Sequence, residues 1–393
     1  MKILWAVSSV GLGHVMRDLS IAAQLQKMAD TQIDWLAPYP AGNFLHKRGH
    51  RVLSCSSHLA GSGKAYAQVF EGSSGDFSLI RYMKADARLH RHDFTASREA
   101  WEEETYDVIV GDEAFWLLTG FASKWASKPA PFVFMTDFIG VKSMHPGIGE
   151  TMTAWMNNLK FSMSYVGPDV YLYIGDAGEI PGDRMGLFLP LRRKWAEQHC
   201  RFVKPVIGFD PETLPDKKTL REQLGLSADG MMFLATVGPY GDIDRQHKDI
   251  EAVLDLLRGD HPDAAFIMVS PKTGTKAWIR YHAYLEGLYQ YFAAADFVLT
   301  QAGYGKIAEL SAMGTSFIVL PLDHHFEQEY MMAHRLDHYG TGKLVTLRDH
   351  TPPAIALMAQ QVMEKKGRKI AADNGAEIAR IILETVGQKT GVK

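Results

Sequence analysis

Short apolar runs alternate with amphipathic helical stretches along most of this chain, and that alternation confines it to βαβ units with parallel sheets. In the first half, strands are predicted at residues 3–7, 33–37, 108–110 and 132–135. The stretch that begins near His14 carries Ile21, Leu25 and Met28 at helical spacing. Pro205, Pro211 and Pro215 then punctuate the sequence, and a second series starts. It has predicted strands at 231–237, 266–269, 297–300 and 317–320, a glycine turn at Gly238-Pro239-Tyr240-Gly241, a helix over 250–257, and helix from Pro353 onward. The expected fold class is α/β, with two Rossmann-like domains spanning 1–205 and 206–370. Residues 371–393 are expected to form a C-terminal helix that packs back on the first domain. The Ser- and Gly-rich stretch 54–78 is expected to be a loop.

Length agrees with two cores, because 393 residues exceed the ~250–300 that one core fills. A net charge of −3 supplies no field that would draw the chain to nucleic acid. Cys55 and Cys200 alone make no disulfide framework, which fits a reducing compartment. The apolar run 3–7 leads straight into Gly11-Leu12-Gly13-His14 without a small-residue cleavage site, and no stretch approaches the ~18 apolar residues of a membrane span. A cytoplasmic protein is expected. The mixed apolar and basic run from Gly186 to Trp195 leaves open peripheral contact with the inner face of a membrane, the competing reading being an interdomain packing segment, since Pro190 opposes a long amphipathic helix.

Four segments carry chemistry. Gly11-Leu12-Gly13-His14 follows the first strand, where glycines let a ligand approach backbone and a helix N-terminus favours an anion. It lacks the third glycine of the dinucleotide fingerprint. His14 at the mouth of the sheet can take a proton from an acceptor hydroxyl, the competing role being a packing or capping histidine. Asp112, in Val110-Gly111-Asp112-Glu113, ends a strand and would reach the same crevice; it either orients His14, with Glu113 as the other candidate, or caps a helix. The third segment, Thr300-Gln301-Ala302-Gly303-Tyr304-Gly305-Lys306-Ile307-Ala308-Glu309, turns from a strand into a helix whose free N–H groups can cradle a diphosphate. Lys306 adds a charge, and Glu309, one turn in, is placed to accept from two ribose hydroxyls; the plainer reading is an ordinary βα turn with a surface Glu. The fourth, Asp323-His324-His325-Phe326-Glu327-Gln328-Glu329, offers acid and amide groups to sugar hydroxyls, or is a solvated helix start.

At these residues the sequence resembles the GT-B glycosyltransferases, and among them the MurG-like and UDP-glycosyltransferase groups. The specific part covers residues 11–25, with Gly11-x-Gly-His14, Arg17, Ile21-Ala22 and Leu25, and residues 279–342, where the glycine turn and Ala-Glu-Leu motif run from Gly303 through Glu309 to Leu310. The resemblance implies two facing Rossmann-like domains with a crevice between them. It also implies an inverting, metal-independent transfer from a nucleotide-diphosphate sugar, UDP-sugar favoured, to a hydroxyl acceptor that is a small molecule or lipid-linked. No cofactor is implied, the nucleotide sugar being a co-substrate. His14 and Asp112 fall on the acceptor-activating dyad, Glu309 on the ribose-binding Glu, Gln328 and Glu329 on the sugar-binding pair with Glu327 adjacent, and Tyr284-Leu285 on the loop that meets the base. Gly13, Gly238, Gln301, Gly303, Tyr304, Gly305 and Lys306 complete the expected donor contacts. Three positions depart from the plant-type pattern: Gln301 replaces a His, Lys306 a Ser or Thr, and Met332 an Asn.

Other signals are weaker. Asp242-Ile243-Asp244 has the spacing of a metal-binding DxD but precedes a helix that it can cap. Gly61-Ser62-Gly63-Lys64 lacks the remaining residues of a P-loop. His324, His325, His334 and His338 have no thiolate near them and suit a polar helix face as well as zinc. The acceptor is expected on residues 54–100 and 137–165; Trp116, Trp155 and Phe161 are candidates to line an apolar pocket, with core packing the default for each. An epimerase or hydrolase of the same fold, or a non-catalytic nucleotide-sugar sensor, would share the donor site.

Overall fold

The computed structural model describes residues 1–8, 10–70, 76–365 and 367–390. The chain divides into two compact units: Met1–Glu71, Ser78–Phe209 and Ala372–Lys393 form the first, and Gly72–Phe77 with Asp210–Ala371 the second.

The first unit is built on six parallel strands: β1 (Lys2–Val7), β2 (Gln32–Leu36), β3 (Val108–Asp112), β4 (Phe132–Thr136), β5 (Val170–Ile174) and β6 (Arg201–Val203). Their spatial order is β2-β1-β3-β4-β5-β6. The chain winds outward from β1 in one direction and then from β3 in the other, so the sheet has its switch point between β1 and β3, where Val7 pairs with Asp112. Open α/β sheets bind ligands outside the carboxyl ends of the strands at that point. Strands β3 and β4 are buried along their whole length, as fully covered parallel strands must be. Helix Ala376–Thr390 closes the unit from the far end of the sequence. The carbonyl of Asn374, just before it, accepts from Ser20 Oγ at 2.8 Å, and Gly375 lies against Ile21 so closely that a Cβ would meet its backbone at 2.7 Å.

The second unit repeats the plan. Its strands are β7 (Met232–Thr236), β8 (Ala265–Val269), β9 (Ile279–His282), β10 (Phe297–Gln301), β11 (Ser316–Leu320) and β12 (Lys343–Leu344). The order β12-β11-β10-β7-β8-β9 puts the switch point between β7 and β10. Asp76 and Phe77 belong to this unit despite their place in the sequence, and the Phe77 ring packs 4.3 Å from His325. Among the described residues no helix is long and apolar enough to cross a membrane.

Three expectations change. The loop expected over 54–78 contains a 3-10 turn, Ser54–His58, and an α-helix, Ser62–Phe70; residues 71–75 lie outside the described residues. Ala65, Tyr66 and Val69 give this helix a buried face, and the Asp93 carboxylate anchors its approach by accepting from the backbone N–H of Ala60 and Gly61 at 2.8 Å each. Strands β5, β6, β9 and β12 were not foreseen in sequence; β6, β9 and β12 are only two to four residues long. The C-terminal helical stretch is two helices, Pro352–Glu364 and Ala376–Thr390. Asp242 caps helix Ile243–Asp260 by accepting from Arg245 N, the capping role expected for it.

Candidate functional site

Each switch point carries a constellation of polar side chains. In the first unit, helix Gly13–Met28 starts five residues after β1 and brings His14 and Arg17, one turn apart, onto one face. Asp112 ends β3 and is wholly buried. His14 Nδ1 lies 3.1 Å from Asp112 Oδ2 and 2.9 Å from an Arg17 guanidinium nitrogen. It donates to Asp112 when it carries a proton and accepts from Arg17 when it does not. His14 Nε2 lies 3.6 Å from Glu113. Both candidate carboxylates therefore meet the imidazole, one at each nitrogen.

Arg17 is the hub. Its guanidinium grips Asp112 through two nitrogens at 3.1 and 2.5 Å and donates a third bond to Asp137 at 2.9 Å. Burial disfavours charge here, but the carboxylates outweigh it, and the guanidinium is held firmly protonated. Burial likewise pushes the Asp112 carboxyl up, while Arg17 and His14 pull it down further, to about 2. For His14 burial pulls the other way from Asp112 and Glu113, and the two carboxylates win, raising it to about 9. Glu113 holds a left-handed backbone at φ 48°, unusual for a non-glycine residue; its carboxylate is fixed by Thr136 Oγ1 at 3.0 Å and the backbone N–H of Asp137 at 3.3 Å. Gly13 faces open space, with no atom within 4 Å of where a Cβ would stand, so the protein's own packing does not require glycine there.

In the second unit, Thr236 on β7 and Thr300 on β10 face each other across the switch point, hydroxyl to hydroxyl at 2.6 Å. Gly303 caps helix Tyr304–Met313, and Lys306 in its first turn reaches back to donate to Thr236 Oγ1 at 3.3 Å. Burial lowers the Lys306 amine to about 8 against the pull of Glu309, and raises the Glu309 carboxyl to about 7 against the pull of Lys306. No hydrogen bond to the Glu309 carboxylate is found among the described residues. Tyr304 is buried beneath the Arg335 guanidinium, 4.2 Å from its ring centre. Gly305 borders open space, and at Gly303 a Cβ would touch only Lys306 Cε, at 3.7 Å. Gly238 is different: the Gln301 side chain lies against it, leaving no room for a Cβ, and Gln301 Nε2 donates to Tyr240 O at 3.4 Å.

The segment after β11 is more committed to its own structure. Phe326–Met331 forms a π-helical turn, a rare geometry found often at functional sites. His325 Nδ1 accepts from Gln328 N at 3.2 Å, and burial holds this imidazole neutral, at about 3. Gln328 Oε1 accepts from Leu322 N at 3.0 Å. Glu329 accepts from His324 N at 3.0 Å and from both ends of the Arg348 fork, at 3.0 and 2.5 Å. Glu327 stands partly buried in the same turn. Past the end of β9, Tyr284 is 58% exposed and Leu285 packs on the core.

A glycosyltransferase family 28 C-terminal domain matches residues 246–382, which include the Gly303–Glu309 turn and the π-helical turn. The chain is 26% identical over 188 residues to an uncharacterized glycosyltransferase of Methanopyrus kandleri, covering 47% of this chain and 54% of that protein. It is also 26% identical over 121 residues to the UDP-N-acetylglucosamine–N-acetylmuramyl-(pentapeptide) pyrophosphoryl-undecaprenol N-acetylglucosamine transferase of Proteus mirabilis, covering 29% and 34%. The chain thus spans about half or less of the length of these curated relatives. In fold it is similar to the glycotransferase of kitacinnamycin, with a TM-score of 0.62 at 14% identity over 100% of this chain and 97% of that one. The chain has the GT-B fold, and its residues 246–382 are similar to a glycosyltransferase family 28 C-terminal domain.

Within this GT-B chain several polar residues escaped the sequence reading. Asp137 follows β4 just as Asp112 ends β3, so the rule that selected one would have selected the other. Arg17 was visible only as part of a motif, with no sign of its partners. Asp18, Thr236 and Arg348 gave no signal of their own. Trp116 and Phe161 are core residues, whereas Trp155 is at the surface, its indole N–H donating to Leu187 O at 2.9 Å. Around it runs an exposed apolar stripe: Ile148, 86% exposed, Met152, Met156 and Met163, with Leu187 and Phe188, the last 91% exposed.

Proposed function

We propose that this chain transfers a sugar from a nucleotide diphosphate to an acceptor hydroxyl, with inversion and without a metal ion. His14 is the general base. Its Nδ1–H donates to Asp112 while Nε2 takes the acceptor proton; Glu113, 3.6 Å from Nε2, stabilises the imidazolium that forms. The diphosphate leaves against the N-terminus of helix Tyr304–Met313 and the Lys306 ammonium, where fixed dipoles and charge stabilise it. Glu309 accepts from the ribose hydroxyls, and Gln328 and Glu329 form the turn that faces the sugar. The relative from Proteus mirabilis is named for UDP-N-acetylglucosamine, which supports uridine as the base. The exposed apolar stripe supports an acceptor, or a surface bearing it, that is itself apolar.

The observation that carries this reading is the His14–Asp112 pair at the switch point of a chain whose residues 246–382 match a family 28 C-terminal domain. Calorimetric titration of UDP, dTDP and GDP in EDTA, repeated on Glu309→Ala, tests the donor half. The expected result is binding of one nucleotide, weakened by the substitution; no binding by any of them removes the reading. Release of sugar to water with no acceptor requirement would put a hydrolase in its place. The resting imidazolium sets a further test: activity should climb with pH up to about 9, as His14 loses its proton.

A further inference from the structure

Four carboxyl groups, Asp18, Asp112, Glu113 and Asp137, surround one guanidinium and one imidazole at the first switch point. Three of them have partners. Asp112 accepts from Arg17 and His14, Asp137 from Arg17, and Glu113 from Thr136 and the Asp137 backbone. Asp18 is different. It stands one helical turn after His14, fully buried, and neither carboxyl oxygen has a hydrogen-bond partner among the described residues. The groups that face it are the Asp112 carboxylate on β3, and Arg17 on its own helix and the buried indole N–H of Trp5 on β1, which both favour its charged form although neither makes a hydrogen bond to it. The Arg17 fork is already spread over Asp112 and Asp137. A fourth anion would outnumber the two cations two to one, and at Asp18, which is fully buried, a charge without a partner is strongly disfavoured. Burial first, and then the neighbouring Asp112 charge, push the Asp18 carboxyl well above the usual carboxylate range.

We infer that Asp18 is a positioning residue for His14: a neutral carboxylic acid that offers its proton to the Asp112 carboxylate and steadies it between Arg17 and His14 without adding negative charge. No proton leaves the cluster in this arrangement. An O–H donated by Asp18 draws electron density from Asp112 and so limits how tightly Asp112 holds the proton on His14 Nδ1. The role in turnover rests on His14 being the base; the protonation state of Asp18 does not.

The test uses full-length protein with carboxyl-13C aspartate, and histidine labelled with 15N. The Asp18 resonance is assigned through its own backbone, and the His14 ring is titrated in wild type, Asp18→Asn and Asp18→Leu. The expected result is an Asp18 carboxyl that keeps the shift of a protonated acid at neutral pH. Asp18→Asn, which keeps a neutral donor, leaves the His14 midpoint where it is in wild type. Asp18→Leu removes the donor and raises that midpoint, an effect that lost packing alone does not produce. A carboxylate shift for Asp18 at neutral pH overturns the inference, as does a fall of about one unit or more in the His14 midpoint in Asp18→Asn, the response to removing a nearby anion. An unmoved midpoint in Asp18→Leu overturns the positioning role. If the variants do not fold, the wild-type carboxyl shift still decides. No donor or acceptor enters these measurements, so failure of the glycosyltransferase reading and failure of this one are separate events.

Discussion

The two switch points share a topology and treat charge in opposite ways. At β1/β3 the ionic groups satisfy one another: Arg17 is shared between Asp112 and Asp137, His14 sits between Asp112 and Glu113, and Asp112 is driven to about 2. At β7/β10 burial shifts both groups toward their neutral forms instead, Lys306 lowered to about 8 and Glu309 raised to about 7, with one hydrogen bond on the lysine and, among the described residues, none found on the glutamate. A site that completes its own charges can orient a proton before any ligand arrives. A site that leaves a cation and an anion incompletely met suits a ligand that carries the complementary groups, which in the proposed function are a diphosphate and a ribose. The glycines agree: Gly305 faces open space, whereas Gly238 is needed for the approach of Gln301.

The contrast breaks first at His14. His14→Ala should lower turnover by about 10²–10⁴-fold, the usual worth of a general base, and leave donor affinity in calorimetry unchanged. Equal losses in both would remove the separation of roles between the two sites. Next comes Arg17→Ala, which strands Asp112 and Asp137 in the interior. A destabilisation of about 3–5 kcal/mol is expected in urea unfolding. Lys306→Met, the corresponding deletion of a cation at the other switch point, should cost little stability, because that amine is already disfavoured by burial. Comparable losses for the two would show that the second site is as self-satisfied as the first. His14 also sets a pH dependence. Its folded value near 9 lies above the ordinary 6.5, so the stability it contributes, on the order of 3 kcal/mol, is fully present below about pH 6.5 and is lost as pH rises through 9. Urea unfolding at both ends of that window should show the loss in wild type and not in His14→Gln.

What the sequence disclosed follows the same division. Strand-to-helix turns are local, so His14, Asp112, Gly303, Lys306 and Glu309 could be found from strand ends and glycine positions alone. Both sheets were legible at their central strands, where parallel pairing demands continuous apolar runs, and illegible at β6 and β12, which are three and two residues long. Arg17 and Asp137 were missed as site residues because their roles depend on a pairing 120 positions apart. Gln328 and Glu329 were legible as an acid–amide pair, but their ties to Leu322, His324 and Arg348 come from a π-helical turn that no local pattern announces. Helix Ser62–Phe70 was hidden for the reverse reason: glycine and serine around it signalled a loop, and the Asp93 carboxylate that anchors its start lies about thirty residues on.

The smallest effect expected is also the one that most sharpens the comparison. If Glu309 grips the ribose, it must do so as a carboxylate, since only the ionised form accepts from both hydroxyls without competing to donate. Its value near 7 in the ligand-free protein means that nucleotide affinity should fall as pH drops from about 8 to 6, with an uptake of a proton on release. Glu309→Gln should bind about tenfold more weakly at pH 8, the loss of a charge-assisted hydrogen bond, and should lose this pH dependence. Titration of UDP at three pH values in both proteins checks it. A wild-type affinity flat across that range would mean that Glu309 is not in the contact, and the charge left incomplete at the second switch point would then belong to Lys306 alone.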